Sequence, residues 1–327
     1  IPIQSGLVVQ FSVIVTPYWF SALELIYRSI NSVIVKSVAS ARLAGGGAEV
    51  KAPDFEYHRP ETLEAALALL ASEEASPLAG GQSLMPMMNF RIAAPEVLVD
   101  LNAIKDLAGV ELSDGWLRIG AMTRYQTLEN SEDIKTHAPL ITRALPHIAH
   151  PAIRNRGTIG GSCALADPAA EMPALLLALG AEVELQSQGR SRRVAADDFF
   201  LGLYETARED DELVVAIHIP VHEDGQSVGF HEITRRHGDY AMAGCAAVAS
   251  ADLTKVRIAF FGISDRALRA TAAEAALSAG AGEEAAVTTA IAALAEIDFA
   301  GDIHAGAATK QHLAGVALKR AWTEVMA

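Results

Sequence analysis

Two glycine-rich segments carry the residue types whose spacing could do chemistry. The first, AGGQSLMPMMNF, covers residues 79–90 and places Ser83 three residues after Gly80. Glycine tolerates positive φ angles and lets the backbone approach a ligand without a Cβ in the way. Successive N–H groups in such a turn can converge on an anion such as a pyrophosphate. The segment therefore predicts an anion-binding loop, and a purely structural turn is the alternative.

The second segment, NRGTIGGSCALADPAAEMP, covers residues 155–173. Thr158 precedes its glycine pair, and two acids, Asp167 and Glu171, follow it. A loop of this kind could hold phosphates while an acidic side chain accepts a hydrogen bond from a sugar hydroxyl. Neither segment is a Walker loop, because no Gly-Lys-Ser/Thr follows, and neither is the GxGxxG fingerprint of Rossmann domains. Two glycine pairs, each with a hydroxyl residue nearby, together favour a dinucleotide ligand.

The elements that must position these segments alternate between helical and strand periodicity. Leu63, Ala66, Leu67 and Leu70 form the apolar stripe of a helix predicted to begin at Pro60. Short apolar or alternating runs predict strands at residues 97–101, 116–122 and 181–185. Runs at 213–219, 228–234, 244–251 and 256–263 follow one another closely and predict an antiparallel sheet. Alanine-rich helices are predicted at 267–277, 284–295 and 309–325.

Composition limits the classes of partner and site. The chain has 327 residues, with 40 acidic and 26 basic side chains and a formal charge of −14. Such a charge argues against a surface that binds nucleic acid. The two cysteines, Cys163 and Cys245, are too few for a disulfide framework or for the four thiolates of an iron-sulfur cluster. This cysteine usage fits a reducing cytoplasm.

The first fifty residues differ from the rest. Residues 1–23 carry no charge, but polar residues and Pro17 interrupt them, which argues against a membrane span. The sequence AGGGA at 44–48 predicts a flexible joint. We therefore expect an atypical apolar extension at 1–50, artefactual or loosely attached, and two domains at 51–222 and 223–327.

Beyond the joint, the sequence resembles a known family. The two glycine segments, AHPAIRNRG at 149–157 and RRHGDYA at 235–241 together resemble motifs of the FAD-binding (medium) subunits of molybdenum hydroxylases. This is the family of xanthine dehydrogenase and aerobic carbon monoxide dehydrogenase, and the resemblance covers residues 53 to about 325. It implies an α+β fold. An FAD-binding domain of two subdomains, of the vanillyl-alcohol oxidase/MurB-like type, would precede a small antiparallel sheet with helices.

The resemblance also implies a set of cofactor contacts. One strand-turn would wrap the FAD pyrophosphate through the backbone N–H groups of Ala79, Gly80, Gly81, Gln82 and Ser83. A second would lie against the same cofactor and consists of Thr158, Ile159, Gly160, Gly161 and Ser162. Glu171 would hold the adenosine end, and Asp167 would brace the loop. Tyr240 would pack near the isoalloxazine and Val214 near the adenine. The chain departs from the family at Glu232, where many members carry lysine, so no flavin contact is carried over to that position.

The implied role is electron transfer without a catalytic acid, base or metal on this chain. FAD would take electrons from iron-sulfur clusters and pass them to NAD, a quinone or oxygen. The cluster cysteines are absent here, so an iron-sulfur (small) subunit and a molybdenum-cofactor (large) subunit are the implied partners, assembled as a dimer of heterotrimers. The alternatives are a self-contained flavoprotein oxidase or reductase, and a non-catalytic assembly module that has lost FAD.

Several side chains have a structural reading beside the functional one. Cys163 could contact the flavin, but a buried small hydrophobe is the expected role. His147 and His150 are expected to pack or hydrogen-bond, since no third metal ligand accompanies them. Three methionines could line the flavin or fill the core, namely Met85, Met87 and Met88. Two arginines, Arg154 and Arg156, could hold phosphate, dock a partner or hydrogen-bond to the backbone.

Overall fold

Three short parallel strands form the first sheet of the computed structural model, which describes residues 51–71, 74–280 and 283–327. The strands β1 (Glu56–His58), β2 (Ala75–Leu78) and β3 (Val97–Asp100) lie in the order β1-β3-β2. Between β1 and β2 runs α1 (Leu63–Leu70), and α2 (Leu84–Asn89) follows β2. The predicted stripe is confirmed, since Ala66, Leu67 and Leu70 are buried. The helix starts later than Pro60 because the Thr62 hydroxyl caps it, accepting from the Ala65 N–H at 3.2 Å.

An antiparallel five-stranded sheet follows, in the order β4-β5-β10-β6-β7. Its strands, with a two-stranded hairpin formed by β8 and β9, are β4 (Val110–Ser113), β5 (Trp116–Gly120), β6 (Glu182–Ser187), β7 (Arg190–Ala195), β8 (Phe200–Gly202), β9 (Glu205–Thr206) and β10 (Leu213–Pro220). The strand predicted at 213–219 exists, but its expected place beside the strands that follow it is wrong. Because β10 is buried from Leu213 to Ile219, it needs partners on both edges, and β5 and β6 supply them.

The four-stranded antiparallel sheet lies in the second part of the chain, which follows residue 222. Its strands, in the order β11-β12-β13-β14, are β11 (Ser227–Ile233), β12 (Ala243–Ala249), β13 (Val256–Phe261) and β14 (Leu268–Arg269). Strand β12 is buried along its whole length because the two faces of this sheet are covered by different helices. The predicted helix at 267–277 is displaced, since Leu268 and Arg269 pair with β13.

Seven helices connect and cover the middle sheet: α3 (Tyr125–Glu129), α4 (Glu132–His137), α5 (Pro139–Ala144), α6 (Pro151–Arg154), α7 (Ile159–Leu165), α8 (Glu171–Leu179) and α9 (Ala196–Phe199). The sequence of α8, EMPALLLAL, is apolar on every side. A helix of that kind must be buried all round. It packs between β10 and the strands β12 and β13, and so joins the two parts of the chain.

Three helices complete the second part: α10 (Thr271–Ala279), α11 (Glu284–Ala293) and α12 (Ala307–Val325). Short 3-10 turns occur at Leu101–Ala103, Lys105–Leu107, Leu145–His147 and Leu294–Glu296. Helix α12 packs across β11 and β12 on the face opposite α8. The helices predicted at 284–295 and 309–325 are confirmed.

The expected α+β class is confirmed, and all described residues belong to one compact unit. Residues 56–220 supply the first three sheets and residues 227–269 the fourth. The principal core contains side chains from both parts, including Phe230 and Phe261, whose rings stack at 5.9 Å. None of the helices in the described ranges is long and apolar enough to cross a bilayer. The extension predicted at 1–50 lies outside the described residues.

Candidate functional site

The first glycine segment lies at the carboxyl end of β2, where the chain turns into α2. Gly81 has a φ of +72°, which glycine adopts without steric cost. Among the described residues, none accepts a hydrogen bond from the consecutive backbone N–H groups of Gly80 to Leu84. The Gln82 side chain instead donates to the Gly80 carbonyl at 3.1 Å. Consecutive unpaired N–H groups form a donor set suited to a phosphate, which is what the predicted anion-binding loop requires.

The N–H groups of the second glycine segment are paired with acceptors of the protein itself. The Thr158 hydroxyl caps α7 and accepts from the Gly161 N–H at 3.1 Å. The Gly160 N–H donates to the Ala121 carbonyl at 2.9 Å. The Ile159 N–H donates to the Thr123 carbonyl at 3.2 Å. This turn is therefore anchored by the protein, and the N–H groups that remain available to a ligand belong to the first segment.

The two segments touch at Gly80, whereas Gly160 packs against Ala121, directly after β5. A Cβ on Gly80 would lie 2.3 Å from the carbonyl oxygen of Arg156, and one on Gly160 would lie 2.4 Å from the Cβ of Ala121. Real Cβ atoms essentially never come this close to such neighbours. Gly81 is the residue of this set with a positive φ. Gly80 and Gly160 are thus required for the approach of one protein segment to another, whereas the sequence suggested the approach of backbone to phosphate.

The side chains of Asn102 and Arg124, called the hook below, join the two segments through hydrogen bonds. Asn102 donates through Nδ2 to the carbonyl of Ala79 at 3.0 Å. The Arg124 guanidinium donates both to the Asn102 side-chain oxygen and to the carbonyl of Arg156. Sequence reasoning missed this pair. The available signal was the pair of polar residues Asp100 and Asn102 at the carboxyl end of β3, because the carboxyl ends of adjacent parallel strands lie at the same sheet edge.

Asp100 fixes the position of Asn102. Its carboxylate accepts from the Asn102 backbone N–H at 2.9 Å and from the Tyr57 hydroxyl at 2.5 Å. Burial alone would raise the pKa of Asp100, but hydrogen bonds from Tyr57 and Asn102 and the charge of Arg59 lower that pKa below its ordinary value. Asp100 therefore remains an ionised acceptor that orients the hook.

A cluster of acids lies beyond the second glycine segment. Glu171 is the first residue of α8 and is 8% exposed. Burial, together with the nearby carboxyl groups of Glu232 and Asp167, raises the pKa of Glu171 to about 8. Burial also raises the pKa of Asp167, although hydrogen bonds from Tyr204 and Tyr240 partly offset it. Tyr240 is nevertheless 65% exposed, so its ring presents a face on which a ligand could pack.

We expect the raised pKa of Glu171 to make stability depend on pH. The folded protein binds this proton more tightly than the unfolded chain does, so the contribution is full below about pH 4.5 and falls as pH rises through about 8. In Glu171→Gln, urea unfolding of FAD-free protein at pH 5.5 and 8.5 should show a smaller loss of unfolding free energy than in wild type. An equal loss in both proteins would contradict the assignment.

The remaining predicted contacts occupy different surroundings. The Ser162 side chain hydrogen-bonds to the Tyr125 hydroxyl, beneath α7. Val214 is 4% exposed and packs in the principal core. Cys163 is fully buried in the same core, and burial raises the pKa of its thiol. A buried, protonated thiol is unreactive, so Cys163 is a packing residue.

The two histidines make separate contacts with the protein. His147 Nδ1 lies 3.3 Å from Glu232 Oε1, and its ring packs 5.2 Å from that of Phe230. His150 packs closely against Gly238. In the described part of the chain, no three His, Cys, Asp or Glu side chains are grouped to hold a metal ion. These observations support packing for both histidines and a polar contact with Glu232 for His147.

Arg154 makes the backbone hydrogen bonds that were one of its three predicted roles. It is 8% exposed and donates through Nη1 to the carbonyl of Ile148 at 3.0 Å. Its Nε also lies 3.2 Å from the carboxylate of Glu129. Met88 is fully buried, as expected of a core residue.

Comparison with known families identifies the family of the chain. A family model described as the FAD-binding domain in molybdopterin dehydrogenase matches residues 53–222. The chain belongs to the FAD-binding subunits of the molybdenum hydroxylases. A second model, the C-terminal domain of carbon monoxide dehydrogenase flavoprotein, matches residues 229–325. The resemblance seen in the sequence is confirmed, as are its implications that the chain binds FAD and is a subunit of an oxidoreductase.

Members of this family share most of their length with the chain. The carbon monoxide dehydrogenase medium chain of Hydrogenophaga pseudoflava is 39% identical and aligns over 82% of this chain and 96% of its own length. The nicotine 6-hydroxylase medium subunit of Paenarthrobacter nicotinovorans is 38% identical, with 84% and 98% covered. These relatives are subunits of dehydrogenases and hydroxylases that act on different compounds.

Solved structures of the family show the same fold. A chain of carbon monoxide dehydrogenase from H. pseudoflava aligns with a TM-score of 0.82 at 40% identity, covering 84% of this chain and 98% of that one. A chain of quinoline 2-oxidoreductase from Pseudomonas putida 86 aligns with a TM-score of 0.80 at 35% identity and the same coverage. The similarity spans both parts of the described chain.

Proposed function

We propose that this chain is the electron-transfer subunit of a molybdenum hydroxylase complex. FAD would supply the redox chemistry, taking electrons from iron-sulfur clusters on a partner chain and passing them to NAD, a quinone or oxygen. The observation that carries the proposal is the row of unpaired N–H groups from Gly80 to Leu84, held against the second glycine segment by the Asn102–Arg124 hook. The protein would position and hold the cofactor.

The proposed cofactor site extends the two segments to the acid cluster. It comprises Ala79, Gly80, Gly81, Gln82, Ser83, Thr158, Ile159, Gly160, Gly161, Ser162, Glu171, Val214 and Tyr240. The N–H groups of the first segment would bind the pyrophosphate, and the glycines of the second would leave room beside it. Glu171 would bind a sugar hydroxyl, and Tyr240 offers an exposed aromatic face. Val214 is included on the family resemblance, since protein atoms already bury it.

The fold and the cysteines support the remaining parts of the proposal. The parallel sheet and the five-stranded sheet would be the two subdomains of a vanillyl-alcohol oxidase/MurB-like domain at 51–222, followed by the second domain at 223–327. The sequence holds two cysteines and both are buried, so no cluster of four thiolates can form on this chain. We therefore propose an iron-sulfur subunit and a molybdenum-cofactor subunit as partners, in a cytoplasmic dimer of heterotrimers.

One reconstitution experiment tests this function. The purified chain should bind FAD and show flavin absorption, yet fail to oxidise an N-heterocycle, an aldehyde or carbon monoxide. Activity should appear when the molybdenum and iron-sulfur chains are added. Turnover by the lone chain would favour a self-contained flavoenzyme, and failure to bind FAD would favour an assembly module.

A further inference from the structure

Glu232 leaves one buried carboxylate oxygen without a partner. Its side chain is 3% exposed, and Oε1 lies 3.3 Å from His147 Nδ1. Oε2 is buried and has no hydrogen-bond partner among the described residues. Leaving a buried acceptor unsatisfied costs about 1–3 kcal/mol, and more when it is charged. Buried polar atoms in folded proteins nearly always have a partner, so this oxygen calls for one.

The carboxyl group lies on the face of the sheet that packs against the first part of the chain, from which most of the proposed cofactor site is built. Alternate side chains of β11 point to opposite faces of the sheet. His231 contacts Arg320 of α12 on one face, whereas Phe230, on the face shared with Glu232, packs on His147 in the first part of the chain. Glu232 is also close enough to Glu171 to raise the pKa of that residue. Glu232 is therefore in the neighbourhood of a residue already proposed to bind FAD.

The chemistry of this corner selects hydrogen-bond donors. Carboxyl groups of Asp167, Glu171 and Glu232 are gathered here, and any negative charge that they carry would disfavour a phosphate. The unpaired N–H groups of Gly80 to Leu84 provide the complementary environment for phosphate at the first segment. The site thus offers backbone donors at one end and carboxyl acceptors at the other. A dinucleotide flavin has both anionic phosphates and neutral N–H and O–H donors.

We infer that Glu232 binds FAD directly, with Oε2 accepting a hydrogen bond from a flavin N–H or a sugar O–H group. His147, through its contact with Oε1, is a positioning residue that holds the carboxyl group in place. This inference rests on the proposed function, because it takes FAD as the ligand. It adds a contact from the second part of the chain to a site otherwise built mainly from the first.

Binding measurements on the full chain test this contact. We expect Glu232→Ala to weaken FAD binding about 10- to 100-fold, from the loss of a hydrogen bond to a charged group. Glu232→Gln keeps an acceptor oxygen and should recover part of the affinity. Glu111→Ala, at an exposed position on β4, is the matched control and should bind FAD as wild type does. Flavin fluorescence quenching measures each dissociation constant.

The thermal stability of the FAD-free protein separates this role from a structural one. Removing an unsatisfied carboxylate should leave the melting temperature of FAD-free Glu232→Ala equal to or above that of wild type. A fall in both stability and affinity would indicate a structural role and overturn the inference. If Glu232→Ala does not fold, Glu232→Gln decides: reduced FAD affinity at unchanged stability supports the contact, and unchanged affinity overturns it.

Two further arms identify the donor and separate the proposals. Titration with FMN and with ADP shows which half of the cofactor loses affinity in Glu232→Ala, and therefore whether the donor is on the flavin and ribityl half or on the adenosine half. Wild-type protein that does not bind FAD would overturn the proposed function. Wild-type protein that binds FAD, with both Glu232 variants binding it equally tightly, would overturn this inference alone.

Discussion

Replacing Gly80 by alanine is expected to strip FAD from the protein. The new Cβ would lie 2.3 Å from the Arg156 carbonyl oxygen and 3.0 Å from the Cα of Gly157. Both neighbours are backbone atoms, so the first segment must move away from the second. That movement breaks the alignment of the N–H groups from Gly80 to Leu84, and we expect FAD affinity to fall by roughly 100-fold or more.

The measurement is the ratio of flavin to protein after gel filtration, with far-ultraviolet circular dichroism to verify folding. Gly306→Ala is the control, because a Cβ at Gly306 meets no atom within 4 Å. This control should retain flavin as wild type does. A folded Gly80→Ala protein with full flavin content would show that the close approach of the two segments is unnecessary for cofactor binding.

The local elements of the fold were predictable because each has its own periodicity. The stripe of α1 and the short run of residues that forms β11 are properties of single segments. The position of β10 was not predictable in this way, since Ile217 pairs with Ile119, far away in the sequence. Sequence adjacency suggested β11 as its neighbour. The buried β10 instead pairs with β5 and β6 in the middle of the five-stranded sheet. Strand order depends on long-range packing that local patterns do not contain.

The site shows the same division between local and long-range information. The glycine segments and Glu171 were visible as motifs. The hook of Asn102 and Arg124 was not, because its partners are carbonyl oxygens that only the fold brings together. Even the reason for Gly80 changed, since its requirement comes from Arg156 rather than from a positive φ. Residue type therefore indicated the ligand, whereas the supporting contacts required the structure.

Replacing Gly229 by alanine should cause the largest loss of stability. Gly229 lies on β11 beneath α12, where a Cβ would be 1.9 Å from the carbonyl oxygen of Ala321. The neighbouring Phe230 N–H donates to Glu324 of α12 at 3.1 Å, and Glu324 also pairs with Arg143 of α5 at 2.8 Å. Displacing α12 would therefore break a link between the two parts of the chain as well as the core beneath the helix.

We expect Gly229→Ala to lower the free energy of unfolding by about 3 kcal/mol or more, as overpacking against backbone does. Urea unfolding of FAD-free protein, with Gly306→Ala as reference, measures this difference. The effect should be present without FAD, whereas that of Gly80→Ala should lie mainly in cofactor affinity. Because α12 supports the strand that carries Glu232, Gly229→Ala should also weaken FAD binding, and a variant with wild-type stability would show that α12 can shift on β11 without cost.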